Sequence, residues 1–146
     1  MKIKDISKIN GREVITITPN TDLPEAIKQL VNHQIGAMPV CDFKGKLVGI
    51  LSERDVLRWI HKGKPDIKHT KVKDIMTSEV MVGDPEDNLE DILKTMTTKG
   101  VRHLPVMAGT RVVGMLSLRD VIEEQLTECS SQVRYLNEYI SGGHTQ

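Results

Sequence analysis

Apolar positions along this 146-residue chain run through one order of elements twice. Val14-Ile15-Thr16-Ile17-Thr18 alternates as a half-buried strand does and halts at Pro19. Leu23, Ala26, Ile27, Leu30 and Val31 then return at helical spacing, with Thr21 ahead of them as a cap. Ala37–Cys41 and Leu47–Leu51 are short apolar runs on either side of a Lys44-Gly45 turn, which predicts paired strands. Ser52 opens a second helix over Asp55–Ile60. His61–Thr70, which contains Gly63-Lys64-Pro65, reads as a polar linker. The order then recurs. Val80–Val82 is a strand and Asp87-Asn88-Leu89-Glu90 a capping-box start. Leu104-Pro105-Val106 and Val112–Leu116 are paired strands that lead into a last helix.

The recurrence is a duplication. Leu47-Val48-Gly49-Ile50-Leu51-Ser52-Glu53-Arg54-Asp55-Val56 is answered by Val112-Val113-Gly114-Met115-Leu116-Ser117-Leu118-Arg119-Asp120-Val121. Pro19 matches Pro85 and Pro39 matches Pro105 at a shift of 66 (85 − 19, 105 − 39). Ile3-Lys4-Asp5-Ile6 returns as Val72-Lys73-Asp74-Ile75. Two copies are too few for a solenoid, which needs about three. They predict an α/β (α+β) fold of two tandem β-α-β-β-α repeats packed about a pseudo-two-fold, with two equivalent clefts between them. The expected division is a first repeat over 1–62, a linker over 63–71, a second repeat over 72–126, and a helical extension and tail over 127–146.

The last helix outruns its partner. Ile122, Leu126, Cys129, Val133, Leu136 and Ile140 step by 4, 3, 4, 3 and 4, a coiled-coil-like stripe. Two readings stand: a helix packed on its own domain, or a dimer contact.

Charge narrows the function classes. Twenty acidic and twenty basic residues cancel, which argues against a general nucleic-acid or anionic-membrane surface. Aromatic residues make up 3% of the chain, too few for a base-stacking platform. No signal-peptide run and no bilayer-length apolar stretch is present, so the expected compartment is the cytoplasm. Cys41 and Cys129 form no Cys-x-x-Cys pair and read as reduced, buried, small apolar residues. No spacing suggests a metal site, and no Gly-x-x-x-x-Gly-Lys phosphate loop occurs.

Candidate chemistry gathers at the repeated Ser-x-x-Asp. One reading is a capping box. The other uses the same helix N-terminus, whose unpaired N–H groups and dipole favour an anion. There Asp55 or Asp120 could accept both hydroxyls of a ribose, and Arg54 or Arg119 could fork onto phosphate oxygens. Arg102-His103 enters a strand where the first copy has the uncharged Gly36-Ala37. That pair is either simply solvated or a phosphate contact specific to one cleft.

The set resembles the cystathionine β-synthase (CBS) domain, and the whole chain resembles a stand-alone tandem pair, or Bateman module. The matching residues are the Asp-Ile-Met-Thr lead-in at Asp74–Thr77, the strands ending at Pro19 and Pro85, Pro-Val at 39–40 and 105–106, and Gly-x-x-Ser-x-x-Asp at 49–55. The first lead-in departs from the pattern: Ile6-Ser7-Lys8 stands for Ile75-Met76-Thr77, with extra residues around Asn10-Gly11.

The resemblance implies adenosine-ligand sensing. It assigns the ribose to Asp55 and Asp120, and phosphates to Ser52, Ser117, Arg54, Arg119, Arg102 and His103. The adenine would lie near Thr16, Ile35, Met38 and Pro39 and, in the other copy, near Val82, Val101, Leu104 and Pro105. The expected ligand is AMP, ADP, ATP or NAD, with AMP favoured, and no metal. The expected protein is a non-catalytic homodimeric sensor that passes occupancy to an unnamed protein partner. The rival reading is an interaction scaffold with empty clefts that dimerises through its last helix.

Overall fold

The computed structural model describes residues 1–6, 9, 12–63 and 66–144, the last four of these as backbone. Lys64 and Pro65 of the linker, and Ser7, Lys8, Asn10 and Gly11 of the divergent lead-in, lie outside the described residues. The first repeat holds α1 (Leu23–Asn32), β1 (Ala37–Cys41), β2 (Leu47–Ser52) and α2 (Glu53–His61). A short helix, α3 (Val72–Ile75), follows the linker. The second repeat holds α4 (Leu89–Lys99), β3 (His103–Ala108), β4 (Arg111–Ser117) and α5 (Leu118–His144).

Each repeat builds a two-stranded antiparallel hairpin. Met38 faces Leu51 and Pro39 faces Ile50 in the first; Leu104 faces Leu116 and Pro105 faces Met115 in the second. Both ladders slip by one residue at the same place, between Val40 and Cys41 and between Val106 and Met107.

The strand expected at 14–18 shrinks to one rung, at Ile17, and that expected at 80–82 is not formed, its matching rung falling one residue later at Gly83. Ile17 N–H donates to Pro39 O at 3.1 Å, and Cys41 N–H donates to Ile17 O at 2.8 Å. Gly83 N–H donates to Pro105 O at 2.9 Å, and Met107 N–H to Gly83 O at 2.8 Å. The next parallel rung would need an N–H from residue 39 or 105. Both are proline and have none, so the ladder ends there. Upstream of the rung the chain is free to swing away from the hairpin.

Smaller expectations are adjusted in the same way. The α1 N-cap is Asp22 and not Thr21, whose hydroxyl is bound to Thr18; Asp22 makes no side-chain cap bond, its carboxylate being held by Lys71. Asn88 caps α4 by accepting from the Glu90 and Asp91 N–H groups. Helix α2 starts two residues earlier than Asp55, at Glu53. Ile67–His69 forms a 3-10 turn within the linker. Cys41 is half-buried and Cys129 is exposed, so Cys129 is not the buried residue expected of it. A helix leaving an extended core needs no side chain buried at that position.

The lead-in segments cross over. Ile3 and Ile6 are fully buried in the core of the second repeat, with Leu89, Met96, Leu104 and Leu116. Val72 is fully buried in the core of the first, with Leu23, Met38 and Leu51. Matching backbone bonds fix both crossings. Ile3 N–H donates to Asp87 O at 3.0 Å, as Val72 N–H does to Thr21 O at 2.9 Å. Lys4 N–H reaches Pro85 O, as Lys73 N–H reaches Pro19 O, each at 2.9 Å. Leu89 N–H donates to Met1 O, as Leu23 N–H does to Thr70 O, each at 2.8 Å. Lys2 and Lys4 both hold Glu86, each at 2.7 Å, and lower its pKa to about 2.

Burial at the third residue of the chain is testable. Ile3→Ala should cost about 2–5 kcal/mol, the usual range for emptying a core isoleucine site. A urea titration on the variant would read it. Loss below about 1 kcal/mol would mean that the lead-in is not part of the second core.

Candidate functional site

The capping reading of Ser-x-x-Asp holds at both helix starts. The Ser52 hydroxyl accepts from Asp55 N–H at 3.2 Å, and Asp55 Oδ2 accepts from Ser52 N–H at 2.9 Å. The Ser117 hydroxyl accepts from Asp120 N–H at 3.0 Å, and Asp120 Oδ2 from Ser117 N–H at 3.3 Å. A box of this kind uses one carboxylate oxygen. The ligand question therefore turns on the other oxygen.

On that oxygen the copies differ. Asp55, 7% exposed, has Oδ1 engaged by the Thr77 hydroxyl at 3.2 Å and by Arg58 Nη1 at 3.6 Å. Thr77 arrives there because its backbone pairs with Ile50 in both directions at 2.9 Å. Gly49 permits that approach: a Cβ there would lie 2.9 Å from the Thr77 carbonyl oxygen and 2.8 Å from Met76 Sδ. Asp120 keeps 16% of its side chain exposed, and its ion pair with Arg12, Nη1 at 3.9 Å, falls on Oδ2. Among the described residues no hydrogen bond occupies Asp120 Oδ1.

Each carboxylate opens into a cleft walled by the other repeat. The Asp120 cleft, about 400 Å³, has Ser117, Arg119 and Met115 on one side and Ile15, Ile35 and Pro39 on the other. The Asp55 cleft, about 190 Å³, sets Ser52, Arg54 and Arg58 against Met81, Val101 and Arg102. Only the first falls within the range usual for small-molecule sites, about 300–1,000 Å³. Gly36, Glu53 and His103 line both clefts and form their common wall.

The expected contacts thus split by cleft. Ile35, Pro39, Ser117, Arg119 and Asp120 gather in one; Ser52, Arg54, Asp55, Val101 and Arg102 gather in the other; His103 belongs to both. Met38 and Leu104 line neither, because both are fully buried in the cores. Strand side chains alternate between faces, so a strand that shows Pro39 to the cleft turns Met38 away. Pro105 is buried, and Thr16 and Val82 are exposed outside both linings. Their neighbours Val14, Ile15, Val80 and Met81 take those places. Arg12, Thr77 and Glu53 were not anticipated. Thr77 carried a signal, as the last residue of the Asp-Ile-Met-Thr lead-in; Arg12 and Glu53 carried none.

The common wall is close-packed. A Cβ on Gly36 would lie 2.9 Å from His103 Nε2 and 3.3 Å from Glu53 Oε1. Burial depresses the His103 pKa below its ordinary 6.5; Arg102 and Arg54 push the same way, and Glu53 and Asp120 oppose them. Among the described residues no group of three or more His, Cys, Asp or Glu is placed to hold a metal ion. No described helix is long and apolar enough to cross a membrane.

Comparison with known proteins agrees with this architecture. The CBS domain sequence model matches residues 3–62 and again 72–127, and the chain belongs to that family. It is 33% identical over 150 residues to the mitochondrial CBS domain-containing protein CBSX3 of Arabidopsis thaliana, covering 97% of this chain and 73% of that one. The CBS domain pair of protein MJ0100, solved with 5-methylthioadenosine and S-adenosyl-L-methionine, superposes with a TM-score of 0.78 at 26% identity, covering 88% of this chain and 98% of that one. CBSX2 in complex with AMP superposes with a TM-score of 0.71 at 26% identity, covering 86% of this chain and 96% of that one.

The wall histidine gives a pH dependence. A phosphate placed beside the ring would favour imidazolium, so a ligand that puts one there should bind with proton uptake. Affinity should rise as pH falls through the pKa of the complex and level off below the depressed pKa of the free protein. The window therefore extends below the ordinary 6.5. Without ligand the sign reverses: the unfolded chain protonates first, so this group's contribution to stability falls as pH drops through the same window. Calorimetry with AMP from pH 5 to 8 on wild type and His103→Gln checks the first trend. Equal slopes in the two proteins would mean that His103 meets no phosphate, since the ligand's own phosphate titration is common to both.

Proposed function

We propose that this chain is a non-catalytic, cytoplasmic regulatory module that binds an adenosine ligand in its Asp120 cleft, with AMP preferred over ADP, ATP and NAD, and that it acts as a homodimer. The observation that carries the reading is the contrast between the two carboxylates. Among the described residues Asp120 has an oxygen left for a ribose diol beyond its capping role, whereas the second oxygen of Asp55 is held by Thr77 and Arg58. The larger cleft supports the same choice. In it Ile35, Pro39 and Met115 offer an apolar slot for a purine, and Ser117, Arg119 and His103 stand where a phosphate would follow the ribose. Arg12, loosely held by Asp120, can turn to a phosphate instead. The Asp55 cleft, with Arg54, Arg58 and Arg102, is a second and weaker site that opens only if Thr77 gives way. The similarity to pairs solved with AMP and with S-adenosyl-L-methionine supports the ligand class.

Asp120→Ala should weaken AMP by about 1–3 kcal/mol, the range for a hydrogen bond to a charged group, while Asp55→Ala leaves the first binding event nearly unchanged. Isothermal calorimetry on both variants, with circular dichroism to confirm folding, checks it. Equal losses would return the clefts to equivalence. No rise in melting temperature with AMP, ADP, ATP, NAD or S-adenosylmethionine would favour the scaffold reading.

Phosphate assignment is separable from the ribose grip. Arg119→Ala should cost AMP several-fold more affinity than it costs adenosine, and Arg102→Ala should treat the two ligands alike at the first site. The opposite pattern would move the occupied cleft to Asp55.

A further inference from the structure

Helix α5 leaves the body of the protein. Val121 is fully buried and anchors its base against the second core. From Cys129 to Ile140 every side chain is exposed. That stretch contains Ser130, Ser131, Val133 and Asn137, which are poor helix formers. Isolated helices of about a dozen residues are marginal in water even with good formers. A stable helix here calls for a partner along its length.

The exposed face is organised. Leu126, Val133 and Ile140 fall on one heptad position, a; Ile122, Cys129 and Leu136 fall on the other, d. Leu126 is 63% exposed and Leu136 57%. The flanking positions are uncharged over the projecting part, from Cys129 onward: Gln132 and Tyr139 on one side, Ser130 and Asn137 on the other, with Glu123 flanking only the base of the helix. Charges sit on the outer face, at Glu124, Glu128, Arg134 and Glu138.

We infer that α5 pairs with α5 of a second copy of this chain as a parallel, in-register, two-stranded coiled coil. A second copy fits because identical helices set side by side meet no like charges across the seam. A partner recognised through complementary charge would need charged flanks, and these are neutral. The parallel direction follows from the projecting half: β-branched Val133 and Ile140 at a, with Leu136 at d, is the pattern of parallel two-stranded coils. In that register the two Cys129 thiols face one another across the seam. The inference takes its partner from the homodimer reading and adds the surface, register and direction.

The test uses the full chain. Sedimentation of wild type at micromolar concentration should give a dimer. Val133→Asp and Leu136→Asp should each weaken it by on the order of a hundredfold, because each puts two facing carboxylates into an apolar seam, while AMP binding is retained. Diamide treatment of the Cys41→Ser protein should give a disulfide-linked dimer through Cys129, and Cys41→Ser/Cys129→Ser should give none. A wild-type monomer would overturn both the seam and the homodimer. A dimer untouched by either aspartate would overturn the seam alone. A dimer that those variants dissociate but that diamide does not link would overturn the parallel register.

Discussion

The reciprocal crossing of the two lead-in segments is what the rest of the structure depends on. Each lead-in fills a core that belongs to the other repeat, Ile3 and Ile6 in the second and Val72 in the first. Either repeat without the other's segment would leave a gap in its core. Burial of such side chains contributes roughly 1.5–3 kcal/mol each. The repeats are held face to face by this exchange as much as by contact between β1 and β4. The clefts exist because the repeats face one another.

Two prolines then shape the cleft walls. Pro39 and Pro105 stop each parallel ladder after one rung, so the chain upstream leaves the hairpin. That upstream chain supplies Val14 and Ile15 to one cleft and Val80 and Met81 to the other. With a residue that has an N–H at 39, a second rung would draw Ile15 onto the hairpin and take it out of the wall. Gly36 completes the arrangement by leaving room for the His103 ring at the boundary between the clefts.

Much of this was legible in the sequence. The duplication, both hairpins, both Ser-x-x-Asp starts and the long last helix follow from periodicity and repeat spacing alone. The crossing was not, because Ile3 and Val72 sit at equivalent places in the repeat and periodicity cannot say which core each enters. The lining of the clefts was legible to within one residue. Met38 and Pro39 are neighbours, and only the pleat decides that Pro39 faces the cleft. The inequality of Asp55 and Asp120 was hidden for a different reason. It arises from Arg58, whose place in the second copy is taken by Glu123, and above all from Thr77, which lies 22 residues away in the chain (77 − 55). No local pattern reports the Thr77 contact.

Asp120 occupies the first turn of α5, and Arg119 stands beside it. The helix runs 27 residues from that point, which at 1.5 Å per residue is a rod of about 40 Å. Its root is therefore a fulcrum that shares its side chains with the larger cleft. A tilt of about 5° there would carry the far tip through roughly 3 Å over such a length. A change at the cleft that tilted this helix would therefore be read out at its far tip through the stiffness of the rod alone.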